Sequence, residues 1–428
     1  METQRRYYRL SMQFTICKMS CFSCPNRTLF PFHLMCCCTI IAIMGCNDYF
    51  HRVISCMLII MVLGCSQHIK RNKALAHTLQ TLVNRMIDPQ GDDPVHNALL
   101  LVESPGFHWQ GAAGMADGRI TPMTAEHTFK LASIGKVFTA VIILQLMEEG
   151  YFSLDDPISR YLDIPAVRLE RLMIHQGTAY GRSITIRQLL QHTSGIADYM
   201  EDPRFIPGVL KDPKKQYNAA KILDLYFAYQ TNQKGVFPPG RGFNYSDVNY
   251  VLLALLIEQV TEEPYHIQLN KRIFAPLGMD NSYLEYYEAP RGDKPLSHAF
   301  FSTIDLVDDV NTSFDWGGGG IVSTCAELNT FIKALLTGRL FKQEATLKLM
   351  LSAAEDGLGG QDYDYGLGIM KRNLHGLIFY GHGGAYDCDV FYCPKERISV
   401  CMSLNQMNTH GKRDALLLEA VRLVLLTR

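Results

Sequence analysis

The stretch Val137–Met147 reads Val-Phe-Thr-Ala-Val-Ile-Ile-Leu-Gln-Leu-Met and constrains the fold more than any other. As a helix it is apolar on nearly every side and ends at Gly150, a natural stop. Such a helix has to be enclosed, so the chain must supply layers around it. At 428 residues and 47% hydrophobic content it is long and apolar enough to do so. That content also argues against disorder. Charges nearly cancel, 41 Lys+Arg against 42 Asp+Glu, which leaves none of the surplus basic charge a nucleic-acid partner requires.

Cysteine is distributed unevenly. Of 13 in the chain, Cys17, Cys21, Cys24, Cys36, Cys37, Cys38, Cys46, Cys56 and Cys65 crowd the beginning, and only Cys325, Cys388, Cys393 and Cys401 follow. A disulfide scaffold would spread them through the fold. A zinc site around Cys17, Cys21 and Cys24 lacks a second ligand pair at the usual spacing, so no metal is expected. Targeting explains the segment better. Arg52 precedes the short apolar run Val53–Cys65, whose length suits a signal-peptide core better than a bilayer span. Its end, Val62-Leu63-Gly64-Cys65, resembles a bacterial lipobox, and Ile43-Met44-Gly45-Cys46 does so less cleanly. The expectation is a leader over residues 1–65 with lipidation at Cys65, and a retained membrane helix is the alternative. Residues 66–428 then read as one globular unit.

Within that domain, Ala98–Glu103 and Gly106–Ala113 flank the turn Ser104-Pro105-Gly106 and read as a hairpin. Four strands are expected near the other end, at Tyr365–Lys371, Leu377–Tyr380, Asp389–Tyr392 and Ile398–Leu404, followed by a helix over Asp414–Leu426. Residues 135–350 are mostly helical in pattern, with capping boxes at Thr185-x-x-Gln188 and Thr324-x-x-Glu327. The fold class is α/β of the α+β kind. One antiparallel β-sheet built from both chain ends is flanked by helices, with an inserted all-helical region, and the groove between them is the place for a site.

GxSxG, HExxH, P-loop and GxGxxG patterns are missing from the sequence. What it does contain is Ser133-Ile-Gly-Lys136, immediately before the apolar run. Ser133 then lies at the start of a buried helix, with Lys136 one turn later on the same face. A serine needs a base in reach, and a desolvated lysine near the positive end of a helix should have a lowered pKa. The Ser133 amide at the helix start can receive an oxyanion. The pair alone carries little weight, because chance supplies one in a chain this long. Tyr245 in Asn244-Tyr245-Ser246-Asp247 precedes a second apolar run and can carry a proton if a cation lowers its pKa. Gly381-His382-Gly383-Gly384 falls between two strands, where glycine permits close approach. Gly317–Gly320 lines a groove or merely forms a turn. His192 and Ser194 belong to a turn, and Cys388 and Cys393 are left open as a pair.

Taken in order, Ser133-x-x-Lys136, Tyr245-Ser246-Asp247 and His382-Gly383-Gly384 resemble the three motifs of the serine β-lactamase and DD-peptidase family. The likeness is to the branch of class C β-lactamases, D-Ala-D-Ala carboxypeptidases and esterases. Thr185–Gly195, Ile273–Met279 and Gly319–Leu328 resemble its connecting segments, so the likeness runs over about 70–428. It implies a β-lactamase/transpeptidase-like fold and a serine hydrolase that forms an acyl-enzyme on Ser133. Lys136 and Tyr245 would share the proton transfers, and Ala385 would give the second oxyanion amide beside Ser133. Asp247, His382 and Gly384 would contact substrate, and no cofactor is needed. His382 replaces the usual lysine. Asp247 replaces the usual asparagine, so it should hold Lys136 cationic and give up a donor. The implied substrates are D-amino-acid peptides, small esters or amides, and less so β-lactams, at the bacterial cell envelope facing the periplasm. The alternatives are a β-lactamase and a penicillin-binding sensor or adaptor without turnover.

Overall fold

The computed structural model describes residues 48–352, 359 and 363–427. Most of the expected leader lies outside the described residues. The chain divides into two compact units, Met1–Ile69 and Lys70–Arg428. Helix α1 covers Asp48–Met86, and the backbone of Cys65 falls within it. Among the described residues no helix is long and apolar enough to cross a membrane.

The second unit is built on a seven-stranded antiparallel sheet. Its strands are β1 (Asn97–Ser104), β2 (Phe107–Gly114), β3 (Asp364–Tyr365), β4 (Met370–Leu374), β5 (Leu377–Gly384), β6 (Cys388–Cys393) and β7 (Ile398–Ser403). The order is β3-β4-β5-β6-β7-β1-β2, so β1 closes the gap between the C-terminal meander and the N-terminal hairpin. Leu101 of β1 lies opposite Cys401 of β7 on one side and Gln110 of β2 on the other. The sheet joins both chain ends, as expected, and the turn falls at Pro105-Gly106.

Because side chains alternate along a strand, β1 serves two cores. Ala98, Leu100 and Val102 pack with Leu75, Leu79 and Val83 of α1 and with Leu417 and Val421 of the terminal helix. Leu99 and Leu101 face the opposite core, which contains helix α2 (Gly135–Glu148). Eleven of the fourteen α2 residues are buried, Lys136 among them. Phe138 of α2 stacks on Phe331 of the helix Cys325–Leu336 with centroids 3.7 Å apart. Gly150, at φ +83°, ends the turn after α2.

Of the two capping boxes, Thr185–Gln188 is complete. The other is half formed. Thr324 Oγ accepts from the Glu327 amide, while the Glu327 carboxylate takes hydrogen bonds from Asn281 and Ser282 instead. The region 135–350 is helical in its main elements but also carries short pairings, such as Tyr283–Leu284 with Ile321–Ser323. Cys388 and Cys393 sit at opposite ends of β6, and both are free and buried.

Candidate active site

Ser133 is the middle residue of a single 3-10 turn, Ala132–Ile134, that runs directly into α2. The turn is set by Ala132 at φ +44°, a left-handed value costly for a residue with a Cβ. Its surroundings are tight enough to impose it. A Cβ on Gly319 would fall 2.8 Å from the Ala132 carbonyl carbon, and one on Gly384 would fall 2.4 Å from the Leu131 oxygen. Gly319 of the Gly317–Gly320 run and Gly384 of the strand motif thus let two elements close on the turn that carries Ser133.

Lys136 is wholly buried, and its ammonium has three donors to place. They go to Ser133 Oγ at 3.0 Å, Asp247 Oδ1 at 2.5 Å and the Gly318 carbonyl at 3.0 Å. Burial alone would lower its pKa, as the sequence argument supposed. The Asp247 carboxylate, with a further contribution from Tyr245, outweighs burial and raises it above the ordinary lysine value. The expectation of a lowered lysine is corrected. The second expectation, that Asp247 holds Lys136 cationic, describes this arrangement.

Tyr245 places its ring 4.9 Å from Lys136 Nζ. Its hydroxyl is buried and makes no well-formed hydrogen bond among the described residues. Burial pushes its pKa up to about 12, although Lys136 and Ser133 are both near enough to lower it. Apo catalytic sites often show such loose contacts before substrate tightens them. His192 stacks on the Tyr245 ring at 4.2 Å, and its Nδ1 accepts from the Ser246 amide and from Asn249. Ser194 donates to the same Asn249. The turn residues set aside from catalysis therefore brace the loop that carries Tyr245 and Asp247 into helix Asp247–Thr261.

His382 takes a different place from the one expected of a substrate contact. It has no exposed surface, and its Nδ1 lies 2.6 Å from the Gly383 carbonyl and its Nε2 3.1 Å from Tyr365 Oη. A carbonyl only accepts, so Nδ1 carries the proton and Nε2 accepts from the tyrosine. Burial lowers its pKa to about 3, which keeps the ring neutral. His382 fixes the inside of β5 and does not face the cavity.

Ser133, Asp247 and Ala385 do line one cavity, of about 200 Å³. Gly384 backs against Leu131 just before Ala385, an exposed residue. The far walls are apolar, from helix Phe205–Lys211 and the short hairpin at Phe300–Asp305. Sequence reasoning missed Asp315, which also lines the cavity, and Asp198, whose carboxylate accepts the Asp247 amide at 3.2 Å. Both are ordinary acids in the sequence, and only the folded chain brings them beside Asp247. Among the described residues His298, Asp305 and Asp308 are close enough to hold a metal ion, but they are the sole such group and lie apart from Ser133 in sequence and hydrogen bonding.

The turn carrying Ser133 ahead of a buried helix, Lys136 bonded to its Oγ and the glycine-bearing β5 behind it form one arrangement. The chain belongs to the beta-lactamase family, whose model matches residues 94–423. It is 28% identical over 328 residues to penicillin-binding protein 4* of Bacillus subtilis, covering 71% of this chain and 65% of that protein. A D-aminopeptidase of Brucella anthropi is also 28% identical, over 303 residues that cover 69% of this chain and 53% of the relative. The chain thus spans about half to two thirds of these relatives' length. A solved D-stereospecific amidohydrolase from Streptomyces superposes with a TM-score of 0.64 at 30% identity, covering 77% of this chain and 94% of that one.

Proposed function

We propose that the protein is a serine hydrolase that transfers the acyl group of a D-amino-acid amide, peptide or ester to Ser133 and then to water. The observation that carries this is Ser133 Oγ held 3.0 Å from Lys136 Nζ on the floor of a cavity that Ala385 also lines. Ser133 Oγ attacks the substrate carbonyl, the Oγ–C bond forms, and the C–N or C–O bond to the leaving group breaks. The Tyr245 hydroxyl and the Lys136 ammonium relay the proton: one leaves the pair for the departing amine or alcohol as the serine proton replaces it, so the pair's charge is unchanged. Water reverses the relay, giving the acid and free Ser133. The amides of Ser133 and Ala385 receive the oxyanion, which is the largest electrostatic contribution in reactions of this kind. The likeness to the D-aminopeptidase of Brucella and the D-stereospecific amidohydrolase of Streptomyces supports D-configured substrates.

Steady-state hydrolysis of matched D- and L-aminoacyl p-nitroanilides tests this reading. It expects turnover of the D series, lost in Ser133→Ala, and equal rates for both enantiomers would overturn the stereochemical part. The grip of Asp247 on Lys136 favours one alternative, a protein that is acylated by penicillin but releases it slowly. A product burst followed by a negligible steady rate would establish that alternative. From the lipobox-like Val62-Leu63-Gly64-Cys65 we propose further that the protein works at the bacterial cell envelope with Cys65 lipidated. Incorporation of an alkynyl fatty acid, abolished in Cys65→Ser, is the corresponding test.

A further inference from the structure

The cavity combines two properties that restrict what can enter it. Its walls are apolar, with Phe205, Val209, Phe301, Ile304 and Phe314 among them. Its ionisable lining is acidic: Asp247 and Asp315 contribute, and among the described residues no Lys, Arg or His does. Asp198 stands directly behind Asp247. Two buried cations stand nearby and both are committed: Lys136 donates to Ser133, Asp247 and the Gly318 carbonyl, and Lys130 to Glu285, Tyr286 and Thr312.

That leaves Asp315 without a counter-ion. Tyr386 Oη donates to its Oδ2 at 2.8 Å, and among the described residues it joins no ion pair. A carboxylate partly withdrawn from water with a single hydrogen bond is costly until a proton or a cation balances it. Burial raises its pKa to about 6, against the pull of Tyr386, Lys130 and Lys136 and with the repulsion of Asp247. At pH 8 it is therefore ionised and unbalanced.

Building on the acyl-transfer reading above, we infer that the cavity selects an acyl group bearing a bulky apolar side chain and an ammonium, that Asp315 pairs with the ammonium, and that substrates presenting a carboxylate are turned away. An apolar wall accepts the side chain without regard to its detail, whereas the acids discriminate by sign. Asp247 and Asp315 together repel a carboxylate, and only one of them has a protein cation to offset it.

Binding can be read without turnover by titration calorimetry on the full chain carrying Ser133→Ala, at pH 8, with three probes that share a phenethyl group and differ in the polar end. These are phenethylamine, 2-phenylethanol and 3-phenylpropanoate. The expected order of affinity is amine, then alcohol, then carboxylate. Adding Asp315→Asn is expected to weaken the amine about tenfold, the scale of one partly buried charge-assisted contact, and to leave the alcohol nearly unchanged. The alcohol reports whether the double variant keeps its cavity. If it does not, the order in the single variant decides. Carboxylate binding as tight as amine binding, an amine indifferent to Asp315→Asn, or no binding by any probe would overturn the inference. Failure of Ser133 to be acylated would overturn the hydrolase reading and leave these affinities to stand or fall separately.

Discussion

Asp247 Oδ1 lies 2.5 Å from Lys136 Nζ, and this contact reverses what burial alone would do to the amine. Lys136 has no exposed surface, yet it remains an ammonium, donating to Ser133 Oγ when a base would accept from it. The resting site thus pairs a charged lysine with a neutral tyrosine.

Asp247→Asn removes the charge and keeps the shape. Lys136 then loses its counter-ion inside the protein, so its pKa should fall, and each unit of fall raises the fraction of free amine about tenfold. Stopped-flow acylation by a penicillin is expected to speed up in the variant by about that factor. No gain would show that Asp247 does not limit the base.

Tyr245→Phe separates catalysis from stability. The Tyr245 hydroxyl is buried and has no well-formed hydrogen bond among the described residues, so its removal leaves no partner stranded. The melting temperature should be unchanged or slightly raised, while turnover of a D-aminoacyl p-nitroanilide falls about 100-fold, the low end for losing a proton carrier. A retained rate would assign the whole relay to Lys136.

Gly384→Ala tests the strand against the nucleophile turn. The added Cβ would meet the Leu131 carbonyl at 2.4 Å and Cys388 Sγ at 2.5 Å, neither of which is the end of a flexible side chain. Overpacking of this kind costs about 1–3 kcal/mol, and β5 should shift away from Ser133. Urea unfolding and the labelling rate of Ser133 should both fall. A variant as stable and as readily labelled as the parent would remove the close contact from the account.

His382 gives the fold a measurable acid sensitivity. Its folded pKa, about 3, is below the unfolded histidine value, so the unfolded chain binds a proton that the native protein refuses. The neutral ring's contribution is full above about pH 6.5 and is lost as pH falls toward 3, at up to about 1.4 kcal/mol per pH unit. Asp315 and Asp389 act in the opposite sense between about pH 4 and 6, since burial raises both to about 6. The comparison that isolates His382 is therefore His382→Gln against the parent between pH 7 and 5. The parent should lose more stability over that range, and equal losses would show that the ring is not held neutral.

The elements legible beforehand were those whose local pattern agreed with their burial. Val137–Met147 had one apolar reading, Pro105-Gly106 marked its own turn, and the C-terminal strands alternated between two cores. Pairings of two or three residues, such as Phe129–Lys130 with Ile321–Ser323, are too short for alternation to register. Site residues followed the same division. Ser133, Lys136, Tyr245 and Asp247 lie in recognisable motifs, and the structure brings Lys136 to hydrogen-bond Ser133 and Asp247. Asp315, Asp198 and the Gly318 carbonyl act through tertiary proximity, which no spacing encodes. The direction of the Lys136 shift was missed for a related reason: it depends on whether burial or a 2.5 Å carboxylate prevails.

The claim on which the account rests is that Ser133 is an activated nucleophile. Intact mass spectrometry of the full chain after exposure to a fluorophosphonate, beside Ser133→Ala, measures it directly. A single adduct on the parent and none on the variant is the expected result. An unmodified parent, or an adduct that survives the substitution, would contradict it.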